Sequence, residues 1–274
     1  MLALAAAIFA GCAWGITPSL YAQASREGGS ARANFWKSLG ALSVLLLMYL
    51  SSFQIPSQVA IIYIILNAAL GTGIADYSFL RSIAIIGPSK ATPIGFTYLI
   101  WSAILPSIVI GEPFSPLVLL GAALAFLGIW LISRGSGEWK IKGIILSLIA
   151  SIGWTLSPIA ARQALNYVSE ITLATWNSMI VASLYLMLSL PSPKVRGQGK
   201  AALGGMIGVG VSLPLYFYAV RELGVAIASL TTALAPLVSQ IVSALSGNKL
   251  NKNEILGTLL ITIGIILAIS YRPS

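Results

Sequence analysis

Asp76 stands in the stretch ILNAALGTGIADYSFLRSIAIIGPSKA as an isolated acid within apolar surroundings. A carboxylate in a hydrocarbon environment is costly unless it is paired or hydrated. Two chemistries follow. Asp76 can form a structural ion pair with Arg81, about one helical turn away, or with Lys90, or it can hold a proton or cation during a transport cycle. Arg81 and Lys90 are themselves either topology anchors or attractors for an anionic group such as a carboxylate or phosphate. Asn67, nine residues before Asp76, has an amide that lipid cannot satisfy and is expected to hydrogen-bond across helices.

Aromatic residues form the second group able to meet a ligand. Trp14, Tyr98, Trp101, Trp154, Tyr216 and Tyr218 fall near the middle of apolar runs, where they either pack or wall a cavity for an amphipathic solute. Trp36, Trp130, Trp139, Trp176 and Tyr271 fall near run ends, as an interfacial belt does. The series Ala226, Ser229, Ala233, Pro236, Gln240, Ser243, Gly247 repeats at steps of three and four. It lays small or polar groups along one helix face, for close packing or, at Gln240, for a polar cavity wall. Pro18, Pro158, Pro214 and Pro236 interrupt helical hydrogen bonding within apolar runs, as plain kinks or as hinges for a conformational cycle.

No residue set supports an enzyme. The chain has no His and one Cys, and it lacks a glycine-rich phosphate loop ending in Lys-Ser or Lys-Thr, so neither a metal nor another cofactor is expected. Cys12 follows Phe-Ala-Gly in a lipidation-like context, but residues 1 to 11 lack a basic side chain, so it is expected inside the first helix.

The elements that position these residues follow from composition. Hydrophobic residues make up 57% of 274 and charged residues 8%, against roughly 25% charged in soluble domains, and mean hydropathy is +0.91. These values predict an all-α integral membrane protein with lipid as a partner. Ten runs of about 20 residues can be drawn at 2–22, 33–53, 58–80, 91–110, 115–133, 143–162, 170–190, 202–220, 223–246 and 254–271. They are apolar on every face, without the alternation of a membrane barrel.

The runs form two sets. Trp14, Pro18, Gln23 and Trp36 recur 140 residues later as Trp154, Pro158, Gln163 and Trp176, and Gly111, Gly121 and Gly128 recur at offset 136 as Gly247, Gly257 and Gly264. The expected division is 1–136 and 137–274. Five spans per copy place the copies upside down relative to each other, with a central cavity between two inverted repeats. Gly121, Gly128, Gly257 and Gly264 read as packing contacts.

The net charge of +9 is spread over short connections, which favours lipid and topology over nucleic acid. Of the 16 basic residues, 13 fall on the face of loops 1-2, 3-4, 5-6, 7-8 and 9-10; only Arg162, Arg221 and Arg272 fall on the other. That bias predicts a cytoplasmic loop-rich face and external termini in the plasma membrane of a prokaryote.

The segments YFYAVRELGVAIASLTTALAPLVSQIVSALSGNKLNKNEILGTLLITIGIILAI and YSFLRSIAIIGPSKATPIGFTYLIWSAILPSIVIGEPFSPLVLLGAALAFLGIWLI, with Ala13-Trp14-Gly15, resemble EamA-type members of the drug/metabolite transporter superfamily. The resemblance implies ten helices in two inverted repeats, with the first, third and fourth helices of each half lining much of the cavity. This chain departs from the pattern at Lys37, where the family usually has Arg, at its counterpart Asn177, and at Asn248 in the second copy of Gly111-Glu112. Family members commonly begin in the cytoplasm, opposite to the orientation the charge bias predicts.

These readings together lead to the expectation of a secondary transporter of small organic metabolites, with amino acids or related amphipathic solutes as the substrate class, acting as a monomer or homodimer. A drug or cation extruder of the same fold and a non-transporting membrane scaffold are the alternatives. The extruder requires a membrane acid such as Asp76, and the scaffold should be packed solid.

Overall fold

A computed structural model describes residues 1–133, 139–189, 194–245 and 251–270; within these, the side chains of 18, 22, 88, 89, 239, 240 and 242–245 lie outside the description. Among the described residues, eight helices are long and apolar enough to cross a membrane, and two shorter apolar helices stand in the fifth and ninth places. They are α1 (Leu2–Tyr21), α2 (Gln23–Leu50), α3 (Gln58–Ile86), α4 (Lys90–Val109), α5 (Pro116–Ile132), α6 (Ile141–Ala164), α7 (Glu170–Ser189), α8 (Gln198–Leu223), α9 (Val225–Val238) and α10 (Lys252–Ser270). The chain is an integral all-α membrane protein.

The halves pack by exchanging equivalent partners. α1 lies on α8 as α6 lies on α3, while α2 lies on α7 and α5 on α10. The last pair fixes the relative direction. A Cβ on Gly121 would collide with the Gly264 carbonyl, and one on Gly128 with the Gly257 carbonyl, so position rises along α5 as it falls along α10. Because Gly257 and Gly264 are the repeat mates of Gly121 and Gly128, α5 and α10 cross antiparallel about a local two-fold axis. Small residues permit this backbone approach in a lipid environment, where dispersion and shape replace the hydrophobic effect between helices.

Irregular backbone recurs at related places. α3 contains a π-helical segment, Ala69–Ala75, and α8 contains another, Met206–Val211; such segments insert an extra residue per turn and concentrate at functional sites. α4 breaks at Phe96 and Thr97, and α9 breaks at Thr232 and Ala233, the same positions at offset 136. Each third helix joins the fourth through one glycine with positive φ: Gly87 (φ 76) and Gly224 (φ 83).

Two sequence expectations need revision. The first run ends its regular helix at Ile16, and helical backbone resumes at Pro18 and continues to Leu50, interrupted at Gly29 (φ 79, ψ 167), so the 1-2 connection is itself mostly helical. Pro158 sits inside the helix Ile141–Ala164, whereas Pro18 stands at the first helical position after the turn at Thr17. The small-residue stripe of the ninth run does not lie on one continuous helix, because the break at Thr232 and Ala233 changes its register. Its Gly247 lies outside the described residues.

Candidate substrate cavity

The breaks of α4 and α9 and the two π segments surround a cavity of about 710 Å³. Its wall includes Trp14, Asn67, Tyr98, Trp154 and Tyr216 from the sequence-derived set, together with Pro158 and Pro236. The lining reaches Ile132, Ser133 and Glu254, where the 5-6 and 9-10 connections leave the bundle, so the cavity extends to the face of the basic loops.

Apart from Glu254 at its mouth, charge inside it is concentrated at one place. Lys37 on α2 donates to Asp76 at 2.7 Å, with the two side chains 8% and 27% exposed. Trp154 Nε1 donates to the other carboxylate oxygen at 2.9 Å. Asp76 directly follows the first π segment, and its partner is Lys37, not Arg81 or Lys90. Arg81 is exposed, and Lys90 Nζ sits 4.3 Å from the centre of the Trp139 ring at a helix end, outside the cavity wall. Lys37 also lies 5.9 Å from the centre of the Tyr21 ring, a weak cation-π contact.

Polar atoms continue along α3. Asn67 donates to both the carbonyl and hydroxyl oxygens of Ser157, while Asn177 on α7 donates to Asn67 Oδ1 at 2.6 Å. These donations fix both amide orientations and leave Asn177 Oδ1 buried without a hydrogen-bond partner. Asn177 is the repeat mate of Lys37, and Tyr216 is the mate of Asp76 at the same offset of 140. The equivalent of the Trp154–Asp76 contact is therefore the packing of Trp14 against Tyr216, whose ring centroids are 5.0 Å apart. The two repeat-related contacts thus differ in chemistry, one charged and the other aromatic.

The aromatic wall is itself anchored. Trp14 Nε1 donates to the Gly208 carbonyl in the second π segment. Tyr98 shares a hydrogen bond with Thr232, and Tyr216 with Ser229, so the broken fourth and ninth helices are tied at the cavity edge.

Trp101 and Tyr218 do not reach the cavity. Trp101 is 47% exposed on the outer surface, and Tyr218, two residues beyond Tyr216 and about 200° around the helix, faces away. Pro214 is buried in α8 outside the wall. Gln240 and Pro18 occupy helical backbone, but their side chains lie outside the description. Lys37, Tyr21, Asn177, Phe79, Phe96 and Thr232 were missed; the repeat register relating Lys37 to Asn177 was the signal available for two of them.

The opposite end of the bundle is stitched by polar contacts. Both carboxylate oxygens of Glu112 accept from the Val225 N–H at 3.0 Å, at the start of α9, and Arg162 lies 3.8 Å away. Arg221 pairs with Glu170 at 2.8 Å and donates to the carbonyls of Leu165 and Val168. Gln54 joins the 2-3 and 6-7 connections by donating to the Tyr167 carbonyl and accepting from the Ser169 N–H. Burial raises the Glu112 carboxyl above its ordinary pKa, a shift that the Val225 and Ala226 N–H groups and Arg162 partly oppose.

The EamA-like transporter family model matches residues 1–134 and again 141–270. An uncharacterized transporter of Archaeoglobus fulgidus is 28% identical over 161 residues, which span 57% of this chain and 57% of that protein. A solved crystal structure superposes with a TM-score of 0.79 over 97% of this chain and 96% of its own, at 16% identity, a likeness of fold alone. With both halves matched, the chain belongs to the EamA-like transporter family.

Proposed function

We propose that the protein is a secondary transporter that moves small organic metabolites, amino acids or related amphipathic solutes, by alternating access. The observation that carries this reading is the contrast between the bundle's two ends: a cavity of about 710 Å³ extends to the face of the basic loops, while Glu112, Arg162, Arg221 and Glu170 tie the other end together. A fixed site between inverted halves, sealed on one side, is the arrangement that rocking one half against the other turns inside out. Aromatic walls with one charged pair suit a solute that is apolar at one end and polar at the other.

In this reading the basic-loop face is cytoplasmic, and the state described faces inward. The energy for uphill movement comes from a gradient or from exchange. The scaffold alternative has no use for a cavity of this size. The cation-extruder alternative needs an acid whose charge the cation itself balances, whereas the charge of Asp76 is already balanced by Lys37.

The test is reconstitution in liposomes with a panel of amino acids, organic anions and cationic dyes, with and without an imposed pH gradient. Saturable accumulation or exchange of at least one solute is expected. No movement of any solute would favour the scaffold.

A further inference from the structure

The Lys37–Asp76 pair carries more than its own stability. Its charges sum to zero, it lines the cavity, and each member retains bonding capacity beyond the contacts described. Among those contacts, Lys37 uses one of three N–H donors on Asp76, and the Asp76 carboxylate accepts two hydrogen bonds of the four or so it can take. Asn177 Oδ1, in the same wall, is buried with no donor.

We infer that this pair is the head-group site of the cavity and that it selects zwitterions, solutes with an ammonium and a carboxylate close together. The inference rests on the transporter reading above and names the residues that select its substrate. A lone cation drawn to Asp76 must share one carboxylate with Lys37, leaving an excess positive charge in a poorly hydrated wall. A lone anion drawn to Lys37 leaves the opposite excess. A zwitterion inserts its ammonium at Asp76 and its carboxylate at Lys37, so that four charges alternate and none is left over. An unpaired charge in such surroundings is the costly outcome, and a paired one is not.

The second half sets the orientation. The mates of Lys37 and Asp76 are the uncharged Asn177 and Tyr216, so the cavity offers one head-group position and not two. Trp14, Tyr216 and Phe217 supply an apolar wall for the solute's tail.

Three solutes of nearly one shape test this: leucine, isopentylamine, which lacks the carboxylate, and 4-methylpentanoate, which lacks the ammonium. Binding to purified protein in nanodiscs is measured for wild type, Lys37→Gln, Asp76→Asn and the double variant, each checked for monodispersity. Wild type is expected to bind leucine at least about tenfold more tightly than either mono-ion. Lys37→Gln should shift the preference toward isopentylamine and Asp76→Asn toward 4-methylpentanoate, a reversal that a merely structural pair would not produce. The double variant, which leaves no charge unpaired, should lose the preference for leucine while staying folded. Mono-ion binding equal to leucine in wild type, or a leucine preference retained in the double variant, overturns the inference. If the liposome panel moves other solutes while leucine shows no advantage here, the zwitterion site fails and the transporter reading stands. If the panel moves nothing, both fail.

Discussion

Lys37 and Asp76 lie 39 residues apart in sequence and 2.7 Å apart in space, in an ion pair that joins the second helix to the third at the cavity wall. Neither has a charged repeat mate, so the pair departs from the two-fold relation seen at the α5–α10 contact. It therefore has separate consequences for stability and for binding.

For stability, removing one partner strands the other's charge. Lys37→Gln or Asp76→Asn should cost about 3 kcal/mol, the low end for a broken buried pair because Asp76 is 27% exposed. The double variant should recover more than half of that loss. Thermal unfolding of the three proteins in nanodiscs checks both values, and a double variant less stable than either single one contradicts the pairing.

The antiparallel α5–α10 contact makes a different prediction. Gly121 and Gly128 face the backbone carbonyls of Gly264 and Gly257, so a methyl group can be admitted only by moving the helices apart. Gly121→Ala and Gly128→Ala should each cost about 1–3 kcal/mol. Gly199, which has nothing near its Cβ position, is the control and should tolerate alanine with little change. Melting temperatures decide.

At the stitched end, Glu112 gives a pH dependence. Its buried carboxyl has a raised pKa, so the closed end binds protons more readily than an opened end in which Glu112 is hydrated. Lowering the pH through the window between the ordinary carboxylate value and the raised one should favour the closed end. That stabilisation should fade as the pH rises through the raised value. Accessibility of a cysteine placed at Ala226, in a Cys12→Ala background, measures this; it should increase with pH in the parent and lose the dependence in Glu112→Gln.

The indole N–H of Trp154 can be separated from its ring. Trp154→Phe keeps the aromatic surface and removes the hydrogen bond to Asp76, which should weaken solute binding about tenfold or more, a cost of about 1.5–2 kcal/mol at the low end for a bond to a charged group. Leucine titration in nanodiscs reports it, and unchanged affinity would mean that the indole only packs.

The sequence exposed the helical class, the two copies, and much of the aromatic wall, because hydropathy and the recurrence of Trp14 as Trp154 are local signals. Its charge chemistry was only half legible. Asp76 stood out as an intramembrane acid, but Arg81 and Lys90 drew attention through proximity in sequence, while the true partner comes from another helix. In sequence Lys37 reads as one more basic residue of the loop-rich face. Tyr216 and Tyr218 could not both face the cavity, since two residues along a helix point to nearly opposite sides. Each π segment carries a Gly-X-Gly, at Gly71–Gly73 and Gly208–Gly210, but that pattern does not by itself specify a π turn, and the paired breaks at Phe96 and Thr232 arise from how the helices meet.

Alternating access is tested most directly by labelling one cavity position from each side of the membrane. Ala235, in the cavity wall, is replaced by cysteine in a Cys12→Ala background, and oriented vesicles are treated with a membrane-impermeant thiol reagent. The account predicts rapid labelling from the basic-loop face, slower labelling from the opposite face, and a change in their ratio when leucine is added. Labelling from one face alone, unchanged by leucine or by any other solute of the panel, would contradict it.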